Sequence, residues 1–208
     1  PYIEISNQNR PDFLDVSMGV SFMSSIYNKS LASMNDSPMD FVSTMQGIFN
    51  NHIIRQKDES ILFNGVRYKT EQSRALDNVD YASLVVVDID DGDLSPDEFY
   101  RIFTQVHKHS FFMCNSFSRS ADKPNNYRAI FFIDQVVNDD IYRDIQNYLQ
   151  RIIEQQGYVT CWPKDRQEHL AKNPNAKFSG IDLSKNHTAS FFYICCKVQG
   201  REECAFFK

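Results

Sequence analysis

Residues 84–93 read LVVVDIDDGD: four apolar residues, Leu84 to Val87, run into Asp88 and Asp90, followed by Asp91, Gly92 and Asp93. The lead-in is continuous and β-branched, the composition of a strand covered on both faces, and with the residues before it a strand is expected over 81–89. Residues two apart on a strand share a face, about 7 Å apart along the backbone, so Asp88 and Asp90 point the same way. Two carboxylates that close raise each other's pKa unless a cation lies between them. Paired magnesium or manganese ions, about 3.5–4 Å apart, neutralise such acids and clamp both the attacking and the leaving oxygen of a phosphoryl transfer. The plainer alternative is a solvated acid cluster at a strand end.

Outward from this stretch the pattern stays regular. Ser95-Pro96-Asp97-Glu98 opens a helix that runs to about His107, with a cap, a proline in the first turn and early acids. SFFMCNSF (110–117) and YRAIFFID (127–134) read as strands around the polar loop SRSADKPNN. Asn138 starts an amphipathic helix to about Gln156 that Gly157 ends; Ile141, Ile145, Tyr148, Leu149, Ile152 and Ile153 are expected on its buried face. ASFFYICCKV (189–198) reads as a last strand. The order is β-α-β-β-α-β, an α+β, ferredoxin-like (RRM-like) core with an antiparallel sheet of order 4-1-3-2. Residues 81–208 form that core, and residues 1–80 form an N-terminal helical and hairpin extension packed on it. Within the extension, 11–34 and 38–50 are expected to be helical, and ILFNGVRY, with Asn64-Gly65 at its centre, to be a hairpin.

Bulk composition narrows the functional classes. With 42% hydrophobic and 13% aromatic residues the chain can build a packed core. No apolar run approaches the roughly 18 residues that span a bilayer, so no membrane role is expected. A net charge of −5 is the wrong sign for a general nucleic-acid coat, so any such contact must be local. Five cysteines, an odd number with no CxxC, are expected to be reduced thiols in a cytoplasm, and zinc is disfavoured. The chain opens on Pro1 and ends on CAFFK, which reads as a piece of a longer protein.

In the expected topology the end of the first strand lies beside the loop 116–128 and the segment before 189. One rim therefore gathers Asp88 and Asp90 with Asp182 of FSGIDLS, a third carboxylate whose plainer reading is a turn or cap. The same rim receives the loop hydroxyls Ser116, Ser118 and Ser120 and the cations Arg119, Lys123 and Arg128, a set suited to phosphates. Arg74 is expected as a further phosphate or template contact. Asp91 and Asp93 are expected to shape the turn with Gly92. Phe111, Phe117, Phe191 and Tyr193 offer rings that either stack on bases or fill the core. Asp134 and the pair His107 and His109 fall at the opposite rim, away from Asp88, which argues against a replication nickase built on those histidines.

These residues resemble the archaeo-eukaryotic primase (primase-polymerase) superfamily, in particular its plasmid- and phage-type replication primases. VVVDID resembles the family's hhhDxD; FFMCNSFSRSADKPNNYRAIFFID resembles its strand, Ser-x-His loop and following strand; GIDLS with SFFYIC resembles its third-acid region and closing strand. The resemblance covers about residues 75–198. It implies a DNA-templated nucleotidyltransferase that makes primers on single-stranded DNA. Asp88, Asp90 and Asp182 would hold two Mg2+ or Mn2+ ions, and Ser116, Ser118, Arg119, Lys123 and Arg128 the nucleoside triphosphate. It also implies a replicative helicase domain elsewhere in the longer protein. The sequence departs from the family at Arg119, where a histidine is usual, and at Ser190, where an arginine is common. Arginine binds a triphosphate but cannot act as a neutral imidazole. Two other readings stand: a nucleotide- or single-strand-binding module of a replication initiator with impaired catalysis, and a haloacid-dehalogenase-like phosphatase using the DxD and Ser116, which requires a parallel central sheet.

Overall fold

The strand expected at 81–89 forms as Val79–Ile89 and sits inside an antiparallel sheet, buried on both faces. The computed structural model describes residues 18–25, 27, 30–70 and 73–208. In chain order the elements are β1 (Met18–Met23), β2 (Ala32–Asp36), α1 (Pro38–Asn51), β3 (Ile53–Ile54), β4 (Leu62–Asn64), β5 (Val66–Tyr68), β6 (Val79–Ile89) and α2 (Pro96–Arg101, continued by a wider turn to Val106). They continue as β7 (Phe111–Asn115), β8 (Tyr127–Val137), α3 (Asp139–Gln155), β9 (Tyr158–Val159), α4 (Arg166–Lys172), β10 (Lys177–Phe178), β11 (Phe192–Tyr193) and β12 (Lys197–Val198). Among the described residues no helix is long and apolar enough to cross a membrane.

Two four-stranded sheets carry the fold, a central one of order β5-β6-β8-β7 and a second of order β11-β4-β1-β2. The period-2 alternation of β6 splits its apolar run between two cores. Leu84 and Val86 pack with Phe41 and Met45 of α1 and Phe63 of β4, on the side of the second sheet. Val85, Val87 and Ile89 pack with Phe99 and Phe103 and with Leu149 and Ile152 of α3, on the other side. Full burial of each such side chain is worth roughly 1.5–3 kcal/mol, so this strand anchors both layers.

The expected 1-3-2 arrangement of β6, β8 and β7 is present, but the closing strand is not where sequence places it. Residues 192–193 pair with Leu62 and Phe63 of β4, and 197–198 run parallel to β3. The edge of β6 that would have taken the last strand is satisfied piecemeal. β5 covers its start; Gln146 of α3 donates to the Val86 carbonyl at 2.7 Å; Asp182 N–H donates to the Asp88 carbonyl at 2.9 Å; and Asp90 N–H donates to the Gly180 carbonyl at 2.8 Å. Buried backbone groups must find partners, and a side chain and a turn here replace a strand.

Other expectations are corrected by tertiary context. The helix expected over 11–34 is, within the described residues, the hairpin β1–β2, pairing Met18 with Asp36 through to Phe22 with Ala32; residues 11–17 lie outside the description. A short apolar stretch buried on both faces has no period that separates strand from helix. ILFNGVRY is not a hairpin: β4 belongs to the second sheet and β5 to the central one. Gly65 lets the chain cross between them, because a Cβ there would lie 2.2 Å from Leu84 Cβ. Helix α3 is rotated from its expected face and buries Tyr142, Gln146, Leu149, Ile152 and Ile153, while Ile141 and Tyr148 are about half exposed. Gln146 turns inward to cap the strand, and the Tyr142 hydroxyl beside it accepts from Gln146 Nε2 at 3.3 Å. Finally, Cys114 of β7 and Cys195 form a disulfide inside the apolar layer, so the cysteines are not all reduced thiols; Cys161, Cys196 and Cys204 are free.

Candidate active site

The alternation that sends Leu84 and Val86 toward the second sheet carries Asp88 and Asp90 onto the same face, where the two layers part. Opposite Asp88 in register stands Arg128 at the start of β8. Arg128 Nε lies 2.9 Å from Asp88 Oδ1, Nη1 donates to the Tyr193 carbonyl at 2.7 Å, and the guanidinium lies 5.9 Å from the Phe192 ring centre. The Nε–Oδ1 contact is one of charges without hydrogen-bond alignment, and both atoms are buried with no hydrogen-bond partner. Burial pushes the Asp88 carboxyl above its ordinary value; Arg128 opposes this, and Asp90 and Asp182 add to it by repulsion.

Asp90 Oδ1 accepts from Ser118 Oγ at 3.1 Å; that hydroxyl lies 3.0 Å from Ser116 Oγ and accepts from Asn126 Nδ2 at 3.0 Å. Asp91 takes the left-handed region with φ of 52°, which the N–H to Asn126 Oδ1 contact at 2.8 Å holds in place. Asp93 Oδ2 accepts from Phe178 N–H at 2.7 Å. Both therefore fix the turn. Gly92 and Gly180 let this turn and the segment 179–182 cross at close range, since a Cβ on Gly92 would lie 2.4 Å from the Ser179 carbonyl oxygen, and Gly180 has φ +77°. That crossing sets Asp182 beside Asp88. The Asp182 carboxylate accepts from Ser184 N–H at 3.0 Å and Oγ at 2.6 Å.

One cavity of about 260 Å³ collects the result. Asp88, Asp90 and Asp182 line it with Arg128, Lys57 and Lys185, with Ser116 and Ser118, and with Phe117, Phe191 and Tyr193. The sequence-derived phosphate loop is only partly there. Arg119 turns away: its Nε donates to the Cys204 carbonyl at 2.8 Å, Nη1 to the Pro124 carbonyl, and its guanidinium lies 4.7 Å from the Phe206 ring centre. Lys123 pairs with Asp91 at 2.9 Å and does not line the cavity. Both are short of the cavity because nearer carbonyls and acids capture them. Arg74 is exposed and does not line it either, and Phe111 stacks on Phe131 in the core with ring centres 4.9 Å apart. His109 and Asp134 line a different depression, at the far end of the sheet.

Lys57, Lys185 and Ser184 were not singled out from sequence. Lys185 lies three residues past Asp182 and could have been found from that spacing. Lys57 precedes β4 in the N-terminal part, with its Nζ 4.9 Å from the Tyr193 ring centre, and no local pattern marks it.

The donor set suits a hard divalent cation: carboxylates and hydroxyls, with one buried carboxylate oxygen lacking any hydrogen bond. Among the described residues, no three His, Cys, Asp or Glu side chains converge as a ready-made cluster. Instead, Oδ1 of Asp90 accepts from the Ser118 hydroxyl and Oδ1 of Asp182 from the Ser184 hydroxyl.

No family model and no curated protein matches the chain. A solved structure similar to it is the polymerase domain of Mycobacterium tuberculosis Ligase D in complex with DNA, with a TM-score of 0.42 and 13% identity over 90% of this chain and 59% of that one. The chain thus spans 59% of the length of that structure. At this identity and score the likeness stops short of assigning a family. The haloacid-dehalogenase-like alternative loses its support on other grounds, since every pairing in the central sheet is antiparallel.

Proposed function

We propose that the acidic cavity binds a nucleoside triphosphate with divalent cations, and that the protein is a DNA-templated nucleotidyltransferase of the primase-polymerase kind. One observation carries this reading: Asp88 and Asp90 of one stretch and Asp182 of another line a single cavity that also holds Arg128, Lys57 and Lys185. Three acids alone would repel a polyphosphate, and three cations alone would not need the acids. The mixture suits a ligand that brings negative phosphates and positive ions together.

When bound, divalent Mg2+ or Mn2+ would ease deprotonation of an attacking 3′-hydroxyl and neutralise the departing pyrophosphate. Asp88, Asp90 and Asp182 would hold those ions, Asp90 and Asp182 by releasing Ser118 and Ser184. Lys57 and Lys185 supply mobile point charges for the phosphates, and Ser116 and Ser118 supply hydroxyl donors. Arg128, fixed by the Tyr193 carbonyl, serves as the resident counter-charge of Asp88. The single-stranded DNA template and the helicase partner follow from the sequence resemblance alone.

The test is primer synthesis on single-stranded DNA with ribo- and deoxynucleoside triphosphates and Mg2+ or Mn2+. Product is expected from the wild type and none from Asp88→Ala combined with Asp90→Ala. Equal product from that double variant defeats the reading. A second reading, a nucleotide-binding module without turnover, is favoured by the Arg128–Asp88 contact, which already occupies one acid. Cation-dependent nucleotide binding with no product under any of these conditions would select it.

A further inference from the structure

A second depression, of about 390 Å³, opens on the other side of the acids; Asp90, Asp182 and Ser184 line both it and the first cavity. The volume falls within the roughly 300–1,000 Å³ of small-molecule sites. Its far wall is Cys161, Trp162, Pro163 and Arg166. That wall is a built structure. The chain leaves β9, turns at Trp162, whose carbonyl accepts the Asp165 N–H at 2.9 Å, and enters α4. Arg166 ties it to the acid turn: Nη1 donates to the Asp91 carbonyl at 2.8 Å, and the guanidinium lies 5.2 Å from the Phe178 ring centre. Its Nε is buried without a hydrogen-bond partner.

Against this tethered wall stands the chain's one tryptophan, 44% exposed. An indole held in the open beside carboxylates has little to gain from packing. It has much to gain from a flat neutral ligand that stacks on its face. A free phosphate does not meet that description, being neither flat nor neutral. A nucleobase does, and every base offers a face for stacking.

We propose that this groove takes the base of the nucleotide whose phosphates occupy the adjoining acidic cavity. Trp162 is the stacking surface, and the Arg166 tether sets its distance from the acids. The assignment rests on the nucleotide reading above and adds to it the part of the chain that recognises the base.

The one tryptophan makes the groove directly observable. Emission of the full chain is followed with Mg2+ while ATP, inorganic tripolyphosphate or adenosine is added, with calorimetry in parallel. ATP is expected to change the emission saturably, and tripolyphosphate to bind without changing it. Trp162→Leu is expected to weaken ATP about fivefold to a hundredfold while leaving tripolyphosphate affinity and thermal melting unaltered, and Trp162→Phe to retain most of the ATP affinity. The proposal is overturned if ATP binds by calorimetry with constant emission. It is equally overturned if Trp162→Leu binds ATP like the wild type, or loses ATP and tripolyphosphate in equal measure. If neither ATP nor tripolyphosphate binds, the nucleotide reading itself fails, and the groove assignment falls with it.

Discussion

Arg128 Nε lies 2.9 Å from Asp88 Oδ1 across neighbouring strands, with only 6% and 12% of the two side chains exposed. Neither charge is tolerable in that setting without the other, since desolvation of a lone buried ion costs several kcal/mol.

Arg128→Met is therefore expected to destabilise the protein by about 3–5 kcal/mol, because it leaves Asp88 buried without its counter-charge. Combining it with Asp88→Leu removes the stranded acid and should recover a large part of the loss. Urea midpoints of the wild type, both singles and the double decide the matter. A double variant no more stable than Arg128→Met would show that the two charges do not depend on each other.

The cavity lysines, not the loop cations, should govern nucleotide affinity. Lys57→Ala and Lys185→Ala are each expected to weaken ATP-Mg2+ binding about tenfold, less so at high salt. Lys123→Ala should leave affinity unchanged. Arg119→Ala should also leave it unchanged while costing roughly 1–2 kcal/mol of stability, from its lost bonds to the Cys204 and Pro124 carbonyls. Calorimetric titration across the four variants checks the ordering.

Gly180 positions the third acid through its backbone. With φ +77° and a prospective Cβ only 2.6 Å from Gly92 Cα, Gly180→Ala must both strain and displace the crossing. A stability loss of about 1–3 kcal/mol is expected. Manganese affinity should fall with it, because Asp182 moves off Asp88. Manganese binding at wild-type strength in a destabilised Gly180→Ala protein would separate Asp182 from the cation site.

Asp139 should contribute an acid-sensitive share of stability. Burial pushes its carboxyl up, but the Thr188 N–H at 2.8 Å, the Thr188 hydroxyl at 2.7 Å and Arg143 outweigh burial and hold it below its ordinary value. A carboxyl lowered on folding stabilises the protein above its unfolded pKa of about 3.9, and that stability is lost as pH falls through the folded value. Asp139→Asn is expected to cost about 1–2 kcal/mol at pH 7 and to flatten the dependence of the urea midpoint between about pH 5 and pH 2.

Much of the local structure was legible in the chain. Ser95 caps α2 by accepting from Glu98 N–H at 3.2 Å, and Asn138 caps α3 by accepting from Ile141 N–H at 3.0 Å, where short polar side chains before apolar periodicity marked helix starts. The face shared by Asp88 and Asp90, and the nearness of Ser116, Ser118 and Arg128, followed from strand parity and the order of elements, whereas Asp182 reaches Asp88 through the Gly92–Gly180 crossing and not through the closing strand from which it was expected. Positions whose partners lie far along the chain were not legible. Phe192 pairs with Phe63, and Lys57 reaches Tyr193, through contacts that no window of sequence contains.

The sequence by itself determined the buried acidic strand, because an apolar run ending in alternating aspartates carries its own period and its own change of polarity. Only the tertiary structure decided what closes the edge of that strand and which cations face its acids. A strand edge needs hydrogen bonds but does not specify their source. A long charged side chain goes to whichever carbonyl or acid the folded chain brings nearest, and so Arg119 was drawn to Cys204 while Lys57 reached the cavity.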